Sequence, residues 1–304
     1  FIVQWPNTLS AEVTGLHTPL VQTLPGVPGR EYRTFPFMLA EGFQKYVPPQ
    51  YTLSTEETQA LSEFQHAAGW PNMNLYAPVP SVDGYDPFVP VRLIEVLELI
   101  GSTHGGEDAT RALTSSERIK RLLSNLSVLG LMSGKYIISG VPLTNPDLSL
   151  LREVPVSRYK VPLYIYENAQ ALPRVYMAKQ SRNKEGEPLL MLIKNGVNFS
   201  EITYLDCSSC PSYTRSARDS AVVMREGNGF MEIQTQVEGG GWLVVGESDL
   251  PGWKAEVDGQ EVPIIKANGF GMAIEVPAEK HSIMLTYTGM RNELRWLKFL
   301  WLVE

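Results

Sequence analysis

Positive charge is the first thing this sequence is short of. Lys and Arg number 26 against 33 Asp and Glu, for a formal net charge of -7. A protein that grips nucleic acid needs a basic face to displace counterions from the phosphates. The only dense basic run is "RIKR" at 118–121, so no nucleic-acid partner is expected. Cysteine is nearly missing as well, with Cys207 and Cys210 forming a single CxxC. A structural zinc site needs four ligands, and neither a second cysteine pair nor a nearby histidine supplies the rest. A thioredoxin-like CxxC opens a helix after a strand, whereas "LDCSSCPSYTR" reads as a loop. A local disulfide or two free thiols remain. His17, His66, His104 and His281 show no mutual spacing that suggests a site. The "HGGED" stretch offers His104, Glu107 and Asp108 as a metal corner, but a solvated polar loop is the plainer reading. There is no GxSxG, no Walker loop and no GxGxxG. The glycines of "EGGGW" (238–242) precede no helix signal, so they read as a hairpin turn and not a phosphate cradle. No catalytic residue, metal or cofactor is assigned.

Long apolar runs are also missing, since none reaches the roughly 20 residues that span a bilayer. The nearest is the closing "RNELRWLKFLWLVE" (291–304), where Leu, Trp and Phe follow Arg291, Arg295 and Lys298. Trp beside basic residues suits a membrane interface. The expectation is a membrane helix cut short; the alternative is an amphipathic helix packed on the domain.

What is present is apolar residue in quantity: 43% of 304 residues, enough for one large domain or two ordinary ones. Residues 1–29 are broken by Pro and Gly ("TLPGVPG") and read as an extended entry segment. "REYRTFPFML" (30–39) reads as a strand. In "STEETQALSEFQHAAG" (54–69), Ser54 and Glu57 form a capping box, and Leu61 and Phe64 share a helix face. "PFVPVRLIEVLELIG" (87–101) reads as a second helix. "TSSERIKRLLSNLSVLG" (114–130) is the third, with Thr114 and Glu117 as its capping box and Ile119, Leu122, Leu123 and Leu126 on one stripe. "KYIIS" (135–139) reads as a buried strand.

The second half changes rhythm. "VPLYIYEN", "RVYMA", "LLMLIKN", "SAVVMREG", "GFMEIQTQV" and "GWLVVGES" are short strand candidates between turn residues. In "WKAEV", Trp253, Ala255 and Val257 share one face. Asp258-Gly259 and Asn268-Gly269 are two-residue hairpin signals. Phe270, Met272, Ile274 and Val276 alternate, as do His281, Ile283, Leu285 and Tyr287. The set reads as a meander with one apolar side, and Trp253 is expected on it. A sugar platform would instead need Trp253 exposed at the sheet's end, beside the Pro251-Gly252 turn.

The predicted fold class is α+β. The layout is 1–29 entry segment, 30–155 mixed α/β subdomain, 156–290 antiparallel β-sandwich of jelly-roll type, and 291–304 the start of a membrane helix. Gly84-Tyr85-Asp86-Pro87 is the most suggestive local group. Asp86 before a proline suits a helix cap. Alternatively Tyr85 and Asp86, with Asn72 and Asn74, line a polar pocket for sugar hydroxyls. Arg174 suits a phosphate or acidic sugar, or a structural ion pair. Candidate ligand-binding residues are therefore Asn72, Asn74, Tyr85, Asp86, Arg174 and Trp253.

The stretch "SDLPGWKAEVDGQEVPIIKANGFGMAIEVPAEKHSIMLTY" (248–287) resembles the closing extracytoplasmic hairpins of the YfhO-type bacterial membrane proteins. "PNMNLYAPVPSVDGYDPF", "LSVLGLMSGKYIIS" and "YENAQALPRVYM" resemble further segments of that family, in family order, over roughly residues 30–290. The "DCSSC" stretch has no counterpart there. The resemblance implies a region between membrane helices of a multispanning chain on the extracytoplasmic side of a bacterial membrane. It also implies a parent similar to GT-C glycosyltransferases of the cell envelope, drawing on a polyprenyl-phosphate-sugar donor. The catalytic carboxylate of such enzymes lies in an early loop outside this chain. The implied role is thus a non-catalytic one, guiding a glycan or envelope polymer or acting as scaffold. A stand-alone carbohydrate-binding or adhesion module, and a secreted enzyme with an unseen site, are the alternatives.

Overall fold

The computed structural model describes residues 24–25, 31–39, 54–68, 80–82, 91–102, 113–156, 160–227 and 229–288. The chain divides into two compact units, residues 1–171 and 172–304. The α+β class holds: three mostly antiparallel sheets, one of them curled into a half-barrel, with helices confined largely to the first unit.

In the first unit, strands β1 (Arg33–Phe37), β2 (Gly134–Ser139), β3 (Leu148–Val156) and β4 (Val161–Asn168) form one sheet in the order β1-β2-β4-β3. Helix α1 (Thr55–Ala68) is opened by the expected capping box: the Glu57 N–H donates to Ser54 Oγ, and Glu57 Oε2 accepts from the Ser54 N–H. Its Phe64 joins a core with Tyr136, Ile138, Leu163 and Ile165, and Leu61 packs against it. Helix α2 is Val91–Leu99. The expected third helix is two, α3 (Ser115–Ser124) and α4 (Leu126–Leu131), with Thr114 and Glu117 capping the first. Asn125 makes the break: at φ -130° it leaves helical geometry, and its amide donates to the Leu99 and Arg121 carbonyls.

The boundary between the units falls later than the expected 155/156. "VPLYIYEN" was expected to begin the sandwich, but as β4 it pairs with β2 and β3 of the first sheet. The reason is local: β3 and β4 form an antiparallel hairpin, so they fold together.

The second unit is a sandwich-like pair of sheets. One has the order β5-β10-β14-β13-β7-β6: β5 (Val175–Met177), β10 (Gly241–Val245), β14 (Gly271–Val276), β13 (Ile264–Ala267), β7 (Ile202–Leu205) and β6 (Gln180–Asn183). The other has the order β12-β11-β15-β9-β8: β12 (Gln260–Val262), β11 (Trp253–Val257), β15 (Glu279–Tyr287), β9 (Phe230–Val237) and β8 (Ser220–Gly227). Their facing sides form the main core, with Val245, Met272 and Ile274 from one and Ile233, Ala255 and Leu285 from the other.

The expected meander is therefore divided between two sheets. Asp258-Gly259 makes a two-residue hairpin, and Asn268-Gly269 turns the chain in a three-residue loop completed by Phe270, with positive φ at Asp258, Gly259, Asn268 and Gly269 (50°, 81°, 54°, 69°). The "EGGGW" and Pro277-Ala278 connections instead arch from one sheet to the other. Pro263, which has no N–H for a ladder, separates β12 from β13, and the strand changes sheet there. "LLMLIKN" is not a strand but helix α5 (Leu189–Lys194), with Leu189 and Leu192 buried and Leu190 and Met191 exposed. A short apolar run does not distinguish helix from strand by periodicity, and Pro188 stands at the helix N-cap.

The larger sheet is buried on both faces along β10. Its second face carries Trp242, Val244, Ala267 and Ala273, covered by Cys207, Cys210 and Tyr213. Its edge strands β5 and β6 are joined by Ala178 and Lys179 alone, so the sheet curls to bring the end of β5 near the start of β6.

Candidate functional site

Asn72, Asn74, Tyr85 and Asp86 lie outside the described residues, as does 291–304. Arg174 and Trp253 are both described, and they sit in different parts of the second unit's sandwich.

Arg174 precedes β5 and is buried (8% exposed). Its Nη1 lies 2.9 Å from Glu226 Oε2 and its Nη2 lies 2.8 Å from Glu247 Oε1. Glu226 is near the end of β8 and Glu247 is just past β10, so the guanidinium ties one sheet to the other. Burial works against its charge. The carboxylates of Glu247 and then Glu226 more than offset that, and the guanidinium pKa is raised. This geometry is the ion-pair alternative for Arg174. Two carboxylates already hold the guanidinium, which disfavours phosphate or an acidic sugar there. The same pairing occupies both carboxylates, so they are not poised as an acid and a base.

Trp253 begins β11 directly opposite Tyr287 on β15. Their ring centroids are 5.1 Å apart at 43°, a tilted aromatic pair. Trp253 is half-buried and packs on the main core, so it belongs to the apolar side as expected. It also stands at the sheet's end. The Thr288 N–H and hydroxyl both donate to the Gly252 carbonyl there, at 3.0 and 3.1 Å. Gly252 has φ 106°, a conformation open to glycine, and it turns the chain into the strand.

Of the two readings left open for the CxxC, the disulfide is the one present, and some contacts around it and elsewhere escaped the sequence reading. Cys207 and Cys210 form a disulfide, and its loop roofs the interior of the curled sheet. The Trp242 indole N–H donates to the Pro211 carbonyl at 3.0 Å, and Tyr213 Oη donates to Glu275 Oε1 at 2.5 Å. That bond, with burial second, pushes the Tyr213 pKa up to about 12. His281, which showed no sequence partner, lies 2.6 Å from Asp258.

No family model, curated protein or solved structure matches this chain. Among the described residues, no group of three or more His, Cys, Asp or Glu is placed to hold a metal ion. Among the same residues, no helix is long and apolar enough to cross a membrane. The aromatic pair of Trp253 and Tyr287 stands at the end of its sheet.

Proposed function

We propose that this chain is a non-catalytic, glycan-facing domain. In that reading it belongs to a bacterial membrane protein similar to the YfhO type and stands on the extracytoplasmic side. Its parent is a glycosyltransferase that draws on a polyprenyl-phosphate-linked sugar, and this segment guides the acceptor polymer. The observation that carries the reading is the half-exposed Trp253 stacked on Tyr287 at the end of the sandwich. A sugar ring presents apolar C–H faces that stack on such a pair. The motif order along the sequence supplies the membrane context.

The test is a glycan-array and envelope-polymer binding assay on the full chain, with a thermal melt of the same sample. Trp253→Ala and Tyr287→Ala should each abolish selective binding. Trp253→Ala should cost roughly 2–3 kcal/mol, below the 3–5 typical of a fully buried aromatic. A folded chain that binds no glycan in the panel would remove the guiding role. Binding that survives both substitutions would move the site elsewhere.

A further inference from the structure

Asp258, in the turn after β11, and His281, near the start of β15, meet at the end of the sheet opposite Trp253. His281 Nδ1 is 2.6 Å from Asp258 Oδ2, and Nε2 is 2.8 Å from the Ala278 carbonyl oxygen. A neutral imidazole has one N–H and one lone pair. Both neighbours here are acceptors, a carboxylate and a backbone carbonyl. Satisfying both requires a proton on each ring nitrogen. The carboxylate is itself held, since Asp258 Oδ1 accepts from the Ser282 N–H at 2.9 Å. The backbone agrees: the Asp258 N–H donates to the Ser282 carbonyl at 2.9 Å.

We propose that His281 is a pH-operated latch. As an imidazolium it ties the Asp258-Gly259 turn to the Pro277–Glu279 arch; as a neutral imidazole it must release one of them. The charged groups acting on the ring are Asp258 across the hairpin and Glu279 in the arch. From β9 it faces Thr235, which is uncharged and donates to the His281 carbonyl. The hydrogen bond to Asp258, then that to the Ala278 carbonyl, raises the His281 pKa above its ordinary 6.5. The stability it contributes is full below 6.5 and is lost as pH rises through the folded value. Asp258 is shifted the other way, first by His281 and then by the Ser282 N–H, to below its ordinary 3.8. Its contribution is present above 3.8 and is lost as pH falls through the folded value. The latch is therefore closed across 3.8 to 6.5, and it opens only above the raised His281 value or below the lowered Asp258 value. This does not rest on the glycan reading, whose residues lie at the other end.

Long-range proton–nitrogen NMR of the histidine rings in the full chain tests it, with His281 assigned by its loss in His281→Gln. At about pH 6 both ring nitrogens should be protonated. The titration midpoint should lie above 6.5, and the Gly259 amide shift should follow it. Asp258→Asn keeps a residue at ease with positive φ and should lower the midpoint. An unprotonated ring nitrogen at about pH 6 would overturn the latch. So would a midpoint at or below 6.5, or one that Asp258→Asn leaves in place. The wild-type ring spectrum decides even if the variant fails to fold.

Discussion

Replacing Arg174 by Met should be the most damaging single surface-to-core change in the second unit. The guanidinium is nearly enclosed, and its partners are too: side-chain exposure is 9% for Arg174, 13% for Glu226 and 23% for Glu247. Removing it takes away the cation on which the two carboxylates converge. Breaking a buried pair in this way costs about 3–5 kcal/mol, most of it the desolvation of the charges left behind. A unit the size of residues 172–304 unfolds with an entropy of roughly 0.28 kcal/mol/K, so the melting temperature should fall by about 11–18 °C. The assay is thermal unfolding of the full chain followed by near-ultraviolet circular dichroism. Glu226→Gln and Glu247→Gln added to Arg174→Met should recover most of the loss, because neutral groups cost far less to keep buried. Arg174→Met melting within about 2 °C of the wild type would refute this account. So would a triple variant as unstable as the single one. Unchanged stability with loss of binding to an acidic glycan would instead return Arg174 to the role of an anion site.

Two further changes probe the packing of each unit. A Cβ on Gly130 would run into the Gln170 carbonyl oxygen, a backbone atom that cannot swing away. Gly130→Ala should therefore destabilise the first unit by about 1–3 kcal/mol in denaturant unfolding. Cys207→Ser with Cys210→Ser opens a loop of four residues, which by loop-closure entropy is worth about 2 kcal/mol. Trp242 sits under that loop, so its fluorescence should also shift red, and an unchanged emission spectrum would mean that the roof holds without the disulfide.

The parts of the fold legible in the sequence were those fixed by neighbours. Ser54 with Glu57, and Thr114 with Glu117, are caps completed within one turn of helix. Asp258-Gly259 and Asn268-Gly269 are turns decided by two residues that tolerate positive φ. Alternation in β11, β14 and β15 placed their apolar faces correctly in the core. It did not say that β14 belongs to the sheet facing the other two, because period-two patterning marks a buried face and not the partner that buries it. The strands β3, β6 and β7 went unread. β3 is largely exposed, with Leu150 and Leu151 on the surface, and so carries no alternation. β6 is the polar "QSRN". Arg174 finds its carboxylates 52 and 73 residues downstream, a distance over which no spacing rule operates. His281 was opaque for the same reason, with Asp258 brought beside it only by the pairing of β11 with β15.

The curl of the larger sheet bears on which strands stand at its margins. An open sheet exposes two rows of unpaired backbone groups, each a template on which another copy can add a strand. Here β5 and β6 are consecutive in the chain yet lie at opposite margins of the sheet. Three residue steps from Met177 to Gln180 span at most about 11 Å, so each margin screens the other. The Gln180–Thr214 bridge occupies part of the β6 margin as well. The apolar strands β10 and β14, which would be hazardous at a margin, are held at interior positions of the sheet. The path of the chain thereby keeps the most apolar strands of this sheet off its margins, and a link of two residues holds one end of each margin close to the other.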